Sequence, residues 1–387
     1  MSALKIMIMG VDGYLGWPLA MHLTERGHDV SGLDNFSRRS NVEEMGSQSA
    51  TPIPPMGKRL RIYEKATGKR LRFYEGDLTE TDFTDGVIEK EKPDCIVHLG
   101  EIPSAPYSMI DVRHCNHTQI NNIIGTNNIL FAVKKHAPKC HLLKLGTMGE
   151  YGTPNIDIPE GFFEVEYRGR KDTLPFPRQP GSWYHLSKVH DSHNIMFACK
   201  IWGMRSTDIM QGVVHGVVTD EMVNDHLLTR FDFDEAFGTA LNRFCAQAVI
   251  GHELTPYGRG GQTRGYIALR DSVECMTLAA ENPPKEGEYR VFNQFDETYS
   301  VNELADHVVK VAGEFGLEGR IWSVENPRVE REEHYYNPDR EKLLTLGFKP
   351  RFDLDSELRL TIPKLMQYRD RIEEKKSCIM PKIRWKG

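Results

Sequence analysis

The chain has 387 residues, of which 39% are hydrophobic and 27% charged, with a formal net charge of −6. This is an ordinary globular composition, long enough for a large core and two or three domains, and it excludes a disordered chain. The mild acidity excludes a general electrostatic attraction to nucleic acid or an anionic membrane, so an anionic ligand must be held by local Arg and Lys.

In chain order, the first apolar run, Lys5 to Met9, predicts a strand. It breaks at Gly10, too short for a signal-peptide core or a membrane span, and so close to the start that no transit peptide is expected. Gly10-Val11-Asp12-Gly13-Tyr14-Leu15-Gly16 follows it and opens a helix marked by Leu19 and Leu23. Strand, glycine turn and helix in this order form a dinucleotide fingerprint: Gly10 permits the sharp turn, Gly13 lets backbone approach a pyrophosphate, and Gly16 allows close helix–strand packing. Tyr14 and Leu15 lie within the same turn.

A second strand spans Asp29 to Leu33 and leads to Asp34 and Asn35. A carboxylate there accepts hydrogen bonds from the adenosine ribose and repels a 2′-phosphate, which favours NAD over NADP. Arg38 and Arg39 follow and suit a 2′-phosphate or the pyrophosphate. Glu43 to Lys69 then lengthens the crossover beyond a minimal βαβ unit and reads as a lid or a spacer.

Further strands are predicted at Leu71 to Tyr74, Cys95 to Leu99, His141 to Leu145, Arg205 to Met210 and Tyr289 to Asn293, separated by helical sequence. The expected fold class is α/β, a doubly wound parallel sheet carrying ligand at its carboxyl ends. Residues 1–211 form the dinucleotide-binding domain, and 212–387 form mainly a smaller interleaved lobe that returns one strand, 289–293, to the sheet. Asp77 and Leu78 after the third strand suit the adenine, and Gly100 and Glu101 after the fourth border the middle of the cofactor. Gln211 follows the sixth strand and faces either nicotinamide or phosphate.

Thr147 lies just past the fifth strand, and Tyr184 and Lys188 stand four apart on one helix face. A phenol titrates near 10, so a tyrosine base needs its phenolate stabilised by roughly 4 kcal/mol, which a neighbouring Lys⁺ and a nicotinamide charge supply. Seven scattered cysteines, Cys95, Cys115, Cys140, Cys199, Cys245, Cys275 and Cys378, form no CxxC pair. They indicate neither a disulfide framework nor a metal site, and they fit a reducing cytoplasm.

Gly-Val-Asp-Gly-Tyr-Leu-Gly-Trp (10–17), Ser-Ala-Pro-Tyr-Ser-Met-Ile-Asp (104–111), the run 145–158 around Thr147, Tyr-His-Leu-Ser-Lys (184–188), Gly-Gly-Gln-Thr-Arg-Gly-Tyr (260–266) and Glu-Glu-His-Tyr-Tyr-Asn (332–337) carry a resemblance. The chain resembles the extended short-chain dehydrogenase/reductases that act on nucleotide sugars, the NAD-dependent epimerase/dehydratase family, and within it the branch that makes UDP-sulfoquinovose. That resemblance implies bound NAD, UDP-glucose and sulfite as substrates, and UDP-sulfoquinovose and water as products. It further implies a Thr147/Tyr184/Lys188 triad.

Related sugar dehydratases place Thr-Asp-Glu where this chain has Thr147-Met148-Gly149, so the elimination acid and base are sought elsewhere, at His185 and Glu101. Pro103 stands where plant members of the branch carry Arg, which removes one anion donor from the expected sulfite site. Met148, Gln211, Thr239, Asn242, Arg243, Thr255, Gln262, Arg264, Arg328 and Glu332 are candidates for the nucleotide sugar. A homodimer is expected because two-fold oligomers dominate. Two other readings stay open: a UDP-hexose 4-epimerase, which needs no elimination, and a non-catalytic dinucleotide-sensing protein on the same fold.

Overall fold

The computed structural model describes residues 3–331 and 333–385. Seven strands form one sheet: β1 (Lys5–Met9), β2 (Asp29–Asp34), β3 (Arg72–Glu75), β4 (Cys95–His98), β5 (His141–Thr147), β6 (Arg205–Gln211) and β7 (Tyr289–Gln294). The order across the sheet is β7-β6-β5-β4-β1-β2-β3, and every neighbouring pair is parallel. A parallel sheet covered on both faces explains the unbroken apolar run of β1: Ile6 and Ile8 enter one core with Trp17, Leu19 and Met276, while Met7 and Met9 enter the other with Ile96, Leu142 and Ile129.

The strand order reverses on either side of β1, which opens a crevice at the carboxyl ends of β1 and β4. Strand ends fall within two residues of the sequence expectation, with β5 and β6 running on together through the pairs Gly146–Met210 and Thr147–Gln211. That extra register brings Thr147, Gln211 and Gln294 level at one rim of the sheet.

The second lobe is built on Thr263–Ala268, paired in parallel with Val213–His215 and antiparallel with Glu297–Ser300. The helices Ala240–Ile250, Val301–Glu314 and Leu354–Met366 enclose a core of Phe244, Leu304 and Ile362.

The 43–69 insert is neither a free lid nor a spacer. It holds the helix Met56–Thr67, whose Met56 and Tyr63 join the main core and whose Arg59 is fully buried. A hairpin not anticipated from sequence, Phe162–Tyr167 against Arg170–Pro175, turns at Arg168 and Gly169, both with positive φ, as a two-residue hairpin turn requires.

Candidate active site

The cleft at the switch point has a volume of about 340 Å³ and reaches from Asp34 and Arg38, past the glycine turn, to Thr147, Tyr184 and Lys188. Gly10 has φ +86°, and a Cβ there would stand 2.6 Å from the Leu99 carbonyl oxygen. A Cβ on Gly16 would meet the Gly10 oxygen at 2.2 Å, so no larger residue fits either place. The helix Gly16–Glu25 has no side-chain cap at its start, the place where a pyrophosphate is held in such folds.

Asp34 ends β2 beside this turn, its carboxylate accepting from the Asp12 amide at 2.8 Å and the Phe36 amide at 2.7 Å. Burial, then the neighbouring Asp12 charge, pushes its pKa up to about 6. Arg38 lines the cleft but is paired with Asp232 at 2.8 Å and stacked on Phe237. Arg39 does not line it: its guanidinium is spent on Asp12 and on the Ile53 and Pro54 carbonyls. Both side chains have protein partners, which removes the reason to read them as receptors for a 2′-phosphate.

Tyr14, Leu15, Gly13, Asn35, Leu78 and Gly100 line the cleft, whereas Asp77 lies behind Asn35, accepting its amide at 2.8 Å. Sequence reasoning missed Asn121, which also lines the cleft from a π-helical turn, Ile120–Ile124. Such turns gather at functional positions, but nothing in the local sequence marks this one.

Thr147, Tyr184 and Lys188 converge on the cleft. Tyr184 and Lys188 sit in the first turns of the helix Trp183–Trp202, capped by Ser182. The Lys188 ammonium donates to the Leu145 carbonyl at 2.5 Å and pairs with Glu101 at 2.6 Å. Its charge is therefore shared with a buried carboxylate.

Burial raises the Tyr184 pKa well above its ordinary value, with Glu101 and Glu150 adding to the rise and Lys144 and a Thr147 hydrogen bond opposing it. Within the protein alone, burial and the Glu101 and Glu150 charges outweigh what lowers the phenol, and Lys188, expected to lower it, is itself paired with Glu101. Glu101 itself is held below the usual range, its burial outweighed by Lys188 and then His98.

His185 follows Tyr184, the two rings 4.9 Å apart. Its Nδ1 lies 3.0 Å from Ser182 Oγ, and its Nε2 occupies space over Gly149: a Cβ on Gly149 would be 2.4 Å from that nitrogen. Burial, then the charges of Arg264, Arg328 and Lys188, lowers its pKa to about 3, so the ring is a neutral imidazole.

Thr239, Asn242 and Gln211 line the cleft. Gln211 donates to Ser272 and Gln294, and Asn242 to the Asp232 carbonyl. None of the remaining described substrate candidates is among the residues that line the cleft. Arg243 is buried, 4.1 Å over Tyr257, with Nη1 lacking a partner among the described residues, and Arg328 approaches the same ring at 5.9 Å. Gln262 Oε1 is likewise buried without a partner, while Arg264 reaches His334 at 2.5 Å and Glu330 at 3.4 Å. Thr255 is bonded to Gln247 at 2.7 Å, and Met148 packs with Tyr151, Phe176 and Met210. Glu332 lies outside the described residues.

The profile of the NAD dependent epimerase/dehydratase family matches residues 6–293. The chloroplastic UDP-sulfoquinovose synthase of Spinacia oleracea is 52% identical over 383 residues, covering 99% of this chain and 79% of the relative. The UDP-sulfoquinovose synthase of Sulfolobus acidocaldarius is 49% identical over 384 residues, covering 99% and 98%.

The chain belongs to this family, in its UDP-sulfoquinovose synthase branch.

The fold is likewise that of the family. Thermotoga maritima UDP-glucose 4-epimerase, solved with UDP-glucose, superposes with a TM-score of 0.72 at 20% identity, covering 94% of this chain and 99% of that one. Bacillus cereus UDP-glucuronic acid 4-epimerase, solved with UDP-glucuronic acid and NAD, gives 0.69 at 20% identity, covering 96% and 100%. The glycine cradle, the uncapped helix and Asp34 fit the dinucleotide on which family members depend.

Proposed function

We propose that this enzyme converts UDP-glucose and sulfite to UDP-sulfoquinovose and water, with NAD bound throughout and regenerated in each turnover. The observation that carries the reading is the convergence of Thr147, Tyr184 and Lys188 on the cleft in a chain of this branch, with His185, next to Tyr184, seated over Gly149. A plain dehydratase of the family keeps a carboxylate at that point; here an imidazole fills the space.

NAD, when bound, supplies reversible hydride acceptance at C4 of the hexose. Tyr184 takes the proton of the 4-hydroxyl, with Thr147 orienting that oxygen and Lys188 steadying the phenolate. Oxidation at C4 acidifies the C5 hydrogen. The neutral His185 accepts that proton and passes it to the C6 hydroxyl, so the C6–O bond breaks with release of water and leaves a C5–C6 double bond conjugated to the ketone. Hydrogen sulfite forms its bond to C6 through sulfur and gives up its proton to His185, His185 delivers that proton to C5, and return of the hydride to C4 with the Tyr184 proton to its oxygen completes the balance. Glu101, engaged with Lys188, acts on the triad rather than on C5.

Arg264 and Arg328, whose charges are felt at His185, supply the cationic field that Pro103 does not, and with Arg243 they hold the diphosphate. Incubation with UDP-glucose and sulfite tests the proposal. A sulfonated nucleotide sugar is expected; UDP-galactose formed without sulfite would instead identify a 4-epimerase.

We also infer a homodimer. The helical run 112–136 and the helix Trp183–Trp202 lie side by side and expose Ile120, Phe131, Trp183, Phe197 and Ile201, with Phe131 61% and Phe197 59% accessible. An apolar stripe shared by two adjacent helices suits the same stripe of a second copy. No described helix is long and apolar enough to cross a membrane, and all seven cysteines are free, which suits the cytoplasm.

A further inference from the structure

The 43–69 insert touches the dinucleotide turn through one side chain. Arg59 is fully buried on the helix Met56–Thr67; its Nη1 donates to Asp12 at 3.0 Å and its Nη2 to the Leu228 carbonyl at 3.1 Å. Its guanidinium lies 4.1 Å over Trp17, the second residue of the helix that the glycine turn opens. Asp12 is the third residue of that turn, and its own amide donates to Asp34. Arg39, just before the insert on the helix Ser37–Glu44, reaches the same carboxylate and binds the Ile53 and Pro54 carbonyls within it.

The stitching continues into the second lobe. Thr51 Oγ1 donates to the Thr229 carbonyl at 2.7 Å, and Thr229 Oγ1 donates to the Tyr14 carbonyl at 2.6 Å. The Ala50 amide donates to the Phe231 carbonyl at 2.8 Å, and Trp17 Nε1 to the Leu227 carbonyl at 2.9 Å. Both ends of the turn are therefore pinned, at Asp12 and at Trp17, by a segment that a minimal crossover would lack. Parting a buried guanidinium from a buried carboxylate leaves both charges unpaired, so the insert and the turn hold one arrangement together.

We propose that the 43–69 insert is a clasp that keeps NAD resident, with Arg59 as a positioning residue that acts through Asp12 on the glycine turn. It rests on the reading that the cofactor is regenerated within the site, because such a cofactor gains nothing from leaving. A turn free to open releases the pyrophosphate; a turn locked on two sides must break a buried ion pair first.

The test loads the full-length protein with radiolabelled NAD, chases with excess unlabelled NAD, and measures the rate of label loss. Arg59→Met keeps the side-chain stem against Trp17 and removes the charge. Expected is a dissociation rate raised on the order of tenfold or more, with Arg59→Lys in between because an ammonium cannot serve Asp12 and Leu228 as the planar fork does.

Glu281→Gln is the control. It weakens a buried pair with Arg26 and His28 just past the far end of the Gly16–Glu25 helix and lowers thermal stability without touching the turn. Label loss at the wild-type rate in folded Arg59→Met overturns the clasp, as does a rise no greater than that in Glu281→Gln. Should Arg59→Met fail to fold, Arg59→Lys is judged by the same two limits. The exchange needs no sulfite, so a failed sulfonation assay and a failed clasp are separate results.

Discussion

Gly149→Ala isolates the proposed C5 base without altering it chemically. Gly149 does not have a positive φ, so alanine meets no backbone penalty there, and its effect is the collision of the new Cβ with His185 Nε2 at 2.4 Å. Reaching an ordinary contact of 3.4 Å means a retreat of about 1 Å by a ring that Ser182 and Tyr184 hold from the other side. A misplacement of that size costs about a hundredfold in rate, or roughly 2.7 kcal/mol of barrier. The assay runs the enzyme with UDP-glucose in deuterated water without sulfite and follows two signals: reduced cofactor by absorbance, and deuterium at C5 of the recovered sugar by mass spectrometry. The expected variant still oxidises C4, and its C5 exchange falls by about two orders of magnitude relative to that oxidation. Wild-type C5 exchange in Gly149→Ala would refute the assignment of His185, as would wild-type exchange in His185→Gln.

Four further outcomes follow from the same geometry. Glu101 raises the Tyr184 pKa, so Glu101→Gln lowers it, and the acid limb of C4 oxidation, measured as a burst of reduced cofactor against pH, moves to lower pH; a limb that stays put or moves up contradicts this. Asp34 titrates at about 6 in the folded protein, above its ordinary 3.8, so its burial favours the protonated folded state as pH falls from about 6 toward 4. NAD needs the carboxylate as acceptor, so affinity measured by calorimetry should weaken below about pH 6, and Asp34→Asn should abolish that pH dependence. Lys144 is wholly buried between Glu150 and Asp208 and donates to the Lys188 carbonyl; Lys144→Met leaves Glu150 its Arg178 pair and Asp208 only the Ser192 and Tyr289 hydroxyls, and is expected to cost about 3 kcal/mol in urea unfolding. Phe131→Glu together with Ile201→Lys should turn the proposed homodimer into monomers by light scattering; a monomeric wild type removes the interface outright.

Legibility from sequence followed the range of the interactions concerned. The central strands were readable because runs such as residues 6–9 and 142–143 are short and apolar, and the glycine turn because its spacing is local. Tyr184 and Lys188 were readable for the same reason, being one helical turn apart. The partners that decide their chemistry were not. Glu101 meets Lys188 across 87 positions of chain, and nothing near either residue announces a 2.6 Å ion pair on the ammonium expected to serve the phenol. Gly149 looked like the loss of a carboxylate, and only the fold shows it as space made for a ring on another element. The insert looked loose because of Pro52, Pro54 and Pro55, yet Arg59 and Tyr63, ordinary surface residues by type, are buried by contacts with Asp12, Trp17 and Glu25. Asn121 carries no sequence signal at all, since the π-helical turn that aims it depends on its surroundings.

The strand β7, made from residues 289–294, completes the edge of the sheet next to β6 only after the first part of the second lobe, residues 212–288, has been synthesised. Until then β6 offers a row of unsatisfied amides and carbonyls to any neighbouring chain, so a nascent or truncated product ending near residue 212 carries an adhesive margin. The two lobes are consequently not interchangeable cassettes: exchanging one for a relative's counterpart means transplanting a piece of the other's sheet with it.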